Sequence, residues 1–393
     1  GETPDFQTFA QAIASLYALG VADAVTFLVR DSVYHEQLYF YGAIDGASAS
    51  KPVLFRSESM DANAVEILYD NGSVFYGEDV NFLQFEHLSF RAGYEYNYVV
   101  DARECNSFEW RNCRFTAALT STNTNVYFSD ITVGPVVEDC EFRYGYSGFY
   151  SYANNTASGS ILQRNTFQDV WQGIELNGYQ LSPIVNQNRI HAANGYAALR
   201  FSSLRGSAQI TNNAIIYQTN ENQGSGIYYE SGQDDGGTPV LANNSVSISG
   251  AGQIFGIRTY GAENLLIAHN SIRISSPQVF ASALEMYYGN GCTIVNNVFV
   301  NAGAGYAVTD YEGNHTYDYN DYYTTGANLA AKNDNPLNNL SAWQAATGQD
   351  AHSLSADPFF VSDSDLHAQA PALDGAGVAG TGITADFAGE MRD

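Results

Sequence analysis

Apolar residues along most of this chain come in short alternating runs, broken by Asn at a regular interval. The stretches "AQITNNAIIYQ", "PVLANNSVSIS", "LLIAHNSIRIS" and "CTIVNNVFVNA" share one pattern: an apolar run, an Asn, then a second run in which polar and apolar positions alternate. Alternation with period two marks a β-strand with one buried face. Lining up the Asn two residues before the apolar Ile, Val or Phe gives Asn165, Asn188, Asn213, Asn244, Asn270 and Asn297, at steps of 23, 25, 31, 26 and 27 residues. Cys140, Cys113 and Leu88 take the same place in "VVEDCEF", "EWRNCRF" and "FEHLSF". A period of about 25 residues without helical spacing predicts a solenoid of β-coils, each burying its apolar face only against its neighbours. Stacked about 4.8 Å apart, the Asn side chains are expected to hydrogen-bond up and down an internal ladder. They would mark a coil corner, where a residue tolerant of left-handed backbone is useful.

Two segments depart from this period. Residues 6–19, "FQTFAQAIASLYAL", place apolar residues at helical spacing behind Asp5 as N-cap, with Gly20 as a stop. That helix precedes the strands "AVTFLVR" and "HEQLYFY" and is expected to cover the open end of the solenoid, whose unpaired edge would otherwise invite association. Residues 1–50 then form an N-terminal cap and residues 51–313 the coils. Residues 314–393 form a C-terminal capping segment of the same domain, with a short amphipathic helix around "LSAWQAATG". The fold class predicted is all-β, a right-handed parallel β-helix with a helical N-terminal cap and an irregular C-terminal one.

"PDFQTFAQAIASL" followed by "VTFLVRDSVYHEQL" resembles the opening of secreted right-handed parallel β-helix proteins of the pectate-lyase-like superfold. The closing stretches "DYNDYYTTGANL", "WQAATGQDAHSLSADPFFV", "DLHAQAPALDGAG" and "ADFAGEMRD" are similar to the tails of such proteins in Bacteroidetes, often ahead of a type IX secretion signal. The resemblance implies export, to the medium or the cell surface. It leaves activity open, because the superfold includes polysaccharide lyases, glycoside hydrolases, esterases, epimerases and non-catalytic surface proteins.

Charge narrows the partners. Forty-two acidic against 16 basic residues leave a formal net charge of −26, and Lys51 and Lys332 are the only lysines. Such a surface repels nucleic acid and anionic membranes, and no run of 18 apolar residues offers a membrane span. The opening "GETPDFQTF" has no signal-peptide pattern and reads as a mature or trimmed start. A polysaccharide is the partner expected, bound by a monomer. Of the four cysteines, Cys113 and Cys140 read as interior ladder members and Cys105 and Cys292 lie far apart, so no disulfide is expected.

The candidate chemistry lies on the strand that follows each Asn corner. In register these strands read "VVDAR", "VYFS", "GFYSY", "GIELN", "ALRFS", "GIYYE", "GIRTY", "ALEMY" and "YAVTDY". Alternation gives two outward columns. The first runs Asp101, Tyr127, Tyr150, Glu175, Arg200, Tyr228, Arg258, Glu285 and Thr309; the second runs Arg103, Ser129, Tyr152, Asn177, Ser202, Glu230, Tyr260, Tyr287 and Tyr311. Charged residues make up only 15% of the chain, so Glu175, Arg200, Arg258 and Glu285 in one column are a concentration. Read plainly, stacked opposite charges merely stabilise a solvated sheet by up to about 1 kcal/mol. The density of tyrosine argues for more: exposed aromatic faces in a row stack on sugar rings. Tyr150, Tyr152, Asn177, Tyr228, Tyr260, Tyr287 and Tyr311 are therefore the expected substrate-binding residues.

Three chemistries fit. Inverting glycoside hydrolysis needs two carboxylates roughly 6.5–9.5 Å apart. Glu175 and Glu230, or Glu230 and Glu285, are two coils apart, about 9–10 Å along the axis. Arg200 or Arg258 would keep one of them ionised. A lyase would use Arg200 or Arg258 to neutralise a uronate, with Tyr228 and Tyr260 as base and acid. The β-helix lyases of the resemblance, of the alginate and chondroitin type, pair Lys with Arg, and this face has no Lys. A non-catalytic adhesive module would use the tyrosines alone. His35, His87, His191, His269, His315, His352 and His367 show no metal-ligand spacing. No cofactor is required, although Asp234 and Asp235 in "SGQDDGG", or Asp310, Glu312, Asp318 and Asp321, offer carboxylates for Ca²⁺.

Overall fold

The computed structural model describes residues 4–94, 98–119, 122–231 and 236–392; Asp234 and Asp235 lie outside them. The chain is an all-β, right-handed parallel solenoid of about 11 turns, organised as two compact units, residues 1–183 and 184–393. Each coil contributes three short strands. In the second unit, for example, Val240–Ala242, Ser245–Gly250 and Gln253–Tyr260 are followed one coil later by Leu266–Ala268, Ser271–Ser275 and Ser282–Tyr287. Equivalent strands pair in parallel, as Leu241 with Ile267, Val246 with Ile272 and Arg258 with Glu285, and the register shifts at local irregularities such as Ser202/Leu204 and Asn290/Thr293.

In-register pairing stacks like on like. Inside the 1–183 unit, Phe85 lies on Trp110 with ring centres 4.2 Å apart, and Phe90, Phe115, Phe142 and Phe167 form a column at 5.5, 5.0 and 4.5 Å. Each such pair adds about 0.5–1.5 kcal/mol beyond the burial of its area. The 184–393 unit uses aliphatic columns instead, including Ile210, Leu241, Ile267 and Ile294, all fully buried.

The Asn ladder forms as the repeat predicts. In the 184–393 unit, Asn188, Asn213, Asn244 and Asn270 each donate both a backbone N–H and a side-chain N–H to the Oδ1 of the next rung, at 2.9–3.1 Å. Asn297 does the same to Asn320, a further rung, and Asn320 closes the row by donating its N–H to Ser353 Oγ at 2.8 Å. In the 1–183 unit the Cys140 N–H donates to Asn165 Oδ1 at 2.9 Å, and the Cys113 N–H to Cys140 Sγ at 3.4 Å. One expectation is corrected. The left-handed residue is the one before each rung: Asn212, Asn243, His269 and Asn296 have φ of 57°, 55°, 57° and 58°. That turn swings the rung itself inward, where it is buried.

All four thiols are free and buried, and burial pushes Cys105 and Cys292 up to about 12. The native protein should therefore resist a thiol reagent at pH 8 and release about four equivalents only on unfolding. Fast labelling of the native chain would contradict the burial.

The first helix spans Phe9–Leu19 and is capped by Thr8, whose Oγ1 accepts from the Gln11 N–H at 3.1 Å; the predicted cap, Asp5, lies one turn too early. Its Phe9 packs edge-on to Tyr34 and against Phe55, covering the first coil. The coils also run past residue 313. Asn314–Asp318, Asp321–Thr324 and Ala330–Lys332 pair in parallel with the coil before them, and the second helix, Leu340–Thr347, follows. Trp343 on that helix is buried, and its indole N–H donates to Asp350 Oδ2 at 2.5 Å. Among the described residues no helix is long and apolar enough to cross a membrane.

Candidate functional site

The columns lie on the third strand of each coil. One strand intervenes between corner and column, as Ser245–Gly250 does between Asn244 and Gln253–Tyr260. In the 184–393 unit, backbone pairing puts Arg200, Tyr228, Arg258, Glu285 and Thr309 in one register. Ser202, Glu230, Tyr260, Tyr287 and Tyr311 share the other. The exposure differs from the open face expected. Glu285 is 4% and Tyr228 9% exposed, whereas Tyr260 is 45% exposed. The first column thus holds its carboxylate and Tyr228 buried beneath half-buried arginines, and the second column forms a more exposed rim.

Cation and ring contacts cover the buried members of the first column. Arg258 Nε lies 2.5 Å from Glu285 Oε2, and its guanidinium sits 4.5 Å over the Phe255 ring and 5.9 Å over Tyr228. Tyr196 meets Tyr228 edge-on at 5.4 Å, and Arg258 Nη1 donates to its hydroxyl at 3.5 Å. Tyr196 was not legible as a site residue, because it stands before its strand, outside the alternation. Burial raises the Glu285 carboxyl above the usual range, and Arg258 opposes the shift without cancelling it. Burial, with the charge of Glu230, pushes Tyr228 up to about 12. Glu230 stays half-buried on the rim and accepts from Ser202 Oγ at 3.3 Å.

Two further expectations change. The tyrosines do not hold their faces toward solvent: Tyr260 lies flat on Tyr287 at 5.5 Å and 13°, and Tyr287 contacts Tyr311 at 5.0 Å. Ring edges and hydroxyls, not ring faces, are thus what the ladder turns outward. Tyr288, with φ 56°, leans edge-on against both Tyr260 and Tyr287. The carboxylates are also further apart than axial spacing suggests. Glu230 and Glu285 occupy different columns, two coils and two residues apart. Their Cα atoms are then roughly 12 Å apart, and an inverting separation requires the two side chains to lean toward each other.

In the 1–183 unit, Tyr150 pairs in register with Glu175 and Tyr152 with Asn177. Glu175 is 6% exposed and accepts from Asn177 Nδ2 at 2.8 Å. Tyr98, Tyr127 and Tyr150 stack in turn at 5.0 and 5.2 Å, and Tyr152 donates its hydroxyl to Asn154.

The four carboxylates considered for Ca²⁺ are dispersed. Asp310 is interior, held by Lys332 Nζ and the Tyr317 hydroxyl, each at 2.9 Å. Asp318 pairs with His352, Glu312 is exposed, and Asp321 accepts from the Ala356 N–H. Among the described residues no group of three or more His, Cys, Asp or Glu is placed to hold a metal. Alternating outward and inward positions explain the dispersal of Asp310 from its neighbours.

Asp321 carries a stability consequence. Burial raises its carboxyl to about 6 from an unfolded value near 4. The folded chain therefore holds this proton more tightly, and the stability it contributes is present below pH 4 and lost as pH rises through 6. Asp321→Asn, which keeps the acceptor for Ala356, should leave the protein about 2 kcal/mol more stable than wild type at pH 7 and nearly equal at pH 4. Parallel pH–Tm curves for the two proteins would contradict this.

No protein-family model and no curated protein matches the chain. Among solved structures, a surface adhesin of Streptococcus pneumoniae is 10% identical, with a TM-score of 0.45, covering 85% of this chain and 89% of that one. The A-module of a mannuronan C-5 epimerase from Azotobacter vinelandii is 14% identical at 0.44, covering 88% and 94%. A mannuronic acid-specific family 6 polysaccharide lyase from human gut microbiota is 11% identical at 0.39, covering 83% and 81%.

Proposed function

We propose that the third-strand face of the 184–393 unit binds a polysaccharide and hydrolyses it. The observation that carries this reading is the buried, proton-favouring Glu285 beside a rim of Tyr260, Tyr287 and Tyr311. Tyrosine edges and hydroxyls on the rim suit a hydroxyl-rich chain. In the reaction proposed, an incoming sugar draws Arg258 off Glu285, the freed and buried carboxylate takes up a proton from solvent, and the carboxyl delivers that proton to the glycosidic oxygen as the C–O bond breaks. Glu230 takes a proton from the water that adds to the anomeric carbon on the opposite face. For the lyase reading, Arg258, one of its two candidates for neutralising a uronate, is engaged by Glu285, and Arg200 is the other. A polysaccharide partner also sets the protein outside the cell or on its surface.

A second reading has its own support. The Arg258–Glu285 ion pair, if it persists with ligand bound, leaves no acid for catalysis, and the face then serves as an adhesive glycan-binding module. Retardation of the protein in polysaccharide-containing native gels tests the shared part of both readings. Tyr260→Ala should weaken binding about tenfold without altering the fold; unchanged retardation would remove the rim from the account.

A further inference from the structure

The columns begin earlier than the alternation of the coils suggested, and the early part stands on the 1–183 unit alone. Leu38–Tyr41, Phe75–Glu78, Val100–Arg103 and Val126–Ser129 pair in parallel. Tyr39, Tyr76, Asp101 and Tyr127 share one register, and Tyr41, Glu78, Arg103 and Ser129 the other. Their polar heads form two bonded pairs set side by side as a square. The Tyr76 hydroxyl donates to Glu78 Oε2 at 2.5 Å, and Arg103 forks onto both oxygens of Asp101 at 3.0 and 2.9 Å. The Arg103 guanidinium also lies 5.8 Å over the Tyr76 ring.

We propose that this square, with Tyr39, is a second glycan site that takes a neutral sugar chain. The inference rests on the glycan reading above but not on its catalytic residues. Tyr39 supplies the platform. Its strand is the first of its sheet, and the first helix reaches it through the Tyr17 hydroxyl, which accepts from the Tyr41 N–H at 2.9 Å and donates to Gly42 O at 3.0 Å; one ring face of Tyr39 lies on Tyr76 at 5.3 Å and 10°, and the side chain is still 51% exposed. A sugar ring continues that stack as the next rung. Tyr41, 62% exposed, stands beside it on the rim. The hydrogen-bonding groups are fixed before any ligand arrives, which lowers the ordering cost of binding. The Glu78 bond, with burial, pushes the Tyr76 phenol up to about 12, so it remains a protonated hydroxyl across the working range.

Charge selects the ligand. Glu78 and Asp101 outnumber Arg103, and Asp101 already occupies the fork of that arginine. An anionic sugar would meet net negative charge with its one cation engaged, whereas a neutral chain offers hydroxyls to carboxylate oxygens and guanidinium edges.

The test uses the whole chain in native gels containing a neutral glucan, xylan or mannan, or the uronates alginate and pectate. Wild type should be retarded by at least one neutral glycan. Tyr39→Ala should weaken that binding at least fivefold at an unchanged melting temperature, and Arg103→Gln should weaken it without gaining affinity for uronates. Neutral-glycan binding kept by Tyr39→Ala but lost by Tyr260→Ala would overturn the second site and leave the first intact. Retardation only by uronates, abolished by Arg103→Gln, would overturn the choice of ligand. Absence of any retardation of wild type would overturn both sites together.

Discussion

Replacing Asn244 with Leu is expected to destabilise the protein by about 4 kcal/mol, far beyond the effect of an exposed change such as Gln218→Ala. The Asn244 side chain satisfies four buried groups at once. Its Oδ1 accepts from the backbone and the side-chain amide of Asn213, and its Nδ2 donates to Ile210 O and to Asn270 Oδ1. Leu is of similar volume and fills the space but takes the Asn244 partner from two groups, the Asn213 backbone N–H and Ile210 O; Asn213 Nδ2 still donates to Val185 O, and Asn270 Oδ1 still accepts from the Asn244 backbone N–H. Each orphaned group costs about 1–3 kcal/mol, and burial of the leucine offsets part of the sum. Asn270→Leu should behave alike, since Asn270 holds the same contacts one coil on. Denaturant unfolding with unchanged m-value checks the prediction; a midpoint equal to wild type would contradict the ladder's role.

Glu285→Gln carries the largest expected effect on activity. If Glu285 delivers the proton, its amide cannot, and turnover of the cleaved glycan should fall by at least about 10³-fold, with binding retained. Glu230→Gln removes the acceptor for the water proton and should cost a comparable factor. The two are separable by substrate choice. An activated aryl glycoside, whose leaving group needs no proton, should rescue turnover in Glu285→Gln and leave Glu230→Gln inactive. Retained turnover in both variants would remove the hydrolase assignment.

Much of the architecture was legible because the repeat imposes it. Parallel pairing stacks equivalent positions, so any residue type that works at a corner recurs there, and Asn165 through Asn297 could be read as rungs. Asn320 could not, because "YDYNDYY" sets aspartate and tyrosine where earlier coils carry aliphatic residues, and the apolar signal fades while the geometry continues. The residues before the rungs gave a weaker signal: Asn112, Asp139, Asn212, Asn243 and Asn296 suit a left-handed turn, but Arg164, Gln187, His269 and Tyr319 take it too.

The site was legible as register but not as depth. Period-two alternation states which way a side chain points, not what its neighbours do above it. Glu285 points outward and is still buried, because Arg258 folds onto it. Nor does alternation orient rings: Tyr260 and Tyr287 were legible as neighbours, but their face-to-face contact, which turns edges to the ligand, follows from the coil spacing.

Digestion of a polysaccharide panel, followed at once by reducing-end release and by ultraviolet absorbance of unsaturated sugar, tests the central claim most directly. The account predicts that at least one glycan yields new reducing ends with no rise in absorbance, and that Glu285→Gln abolishes the release. Reducing ends accompanied by unsaturated product, or release that survives Glu285→Gln, would contradict it.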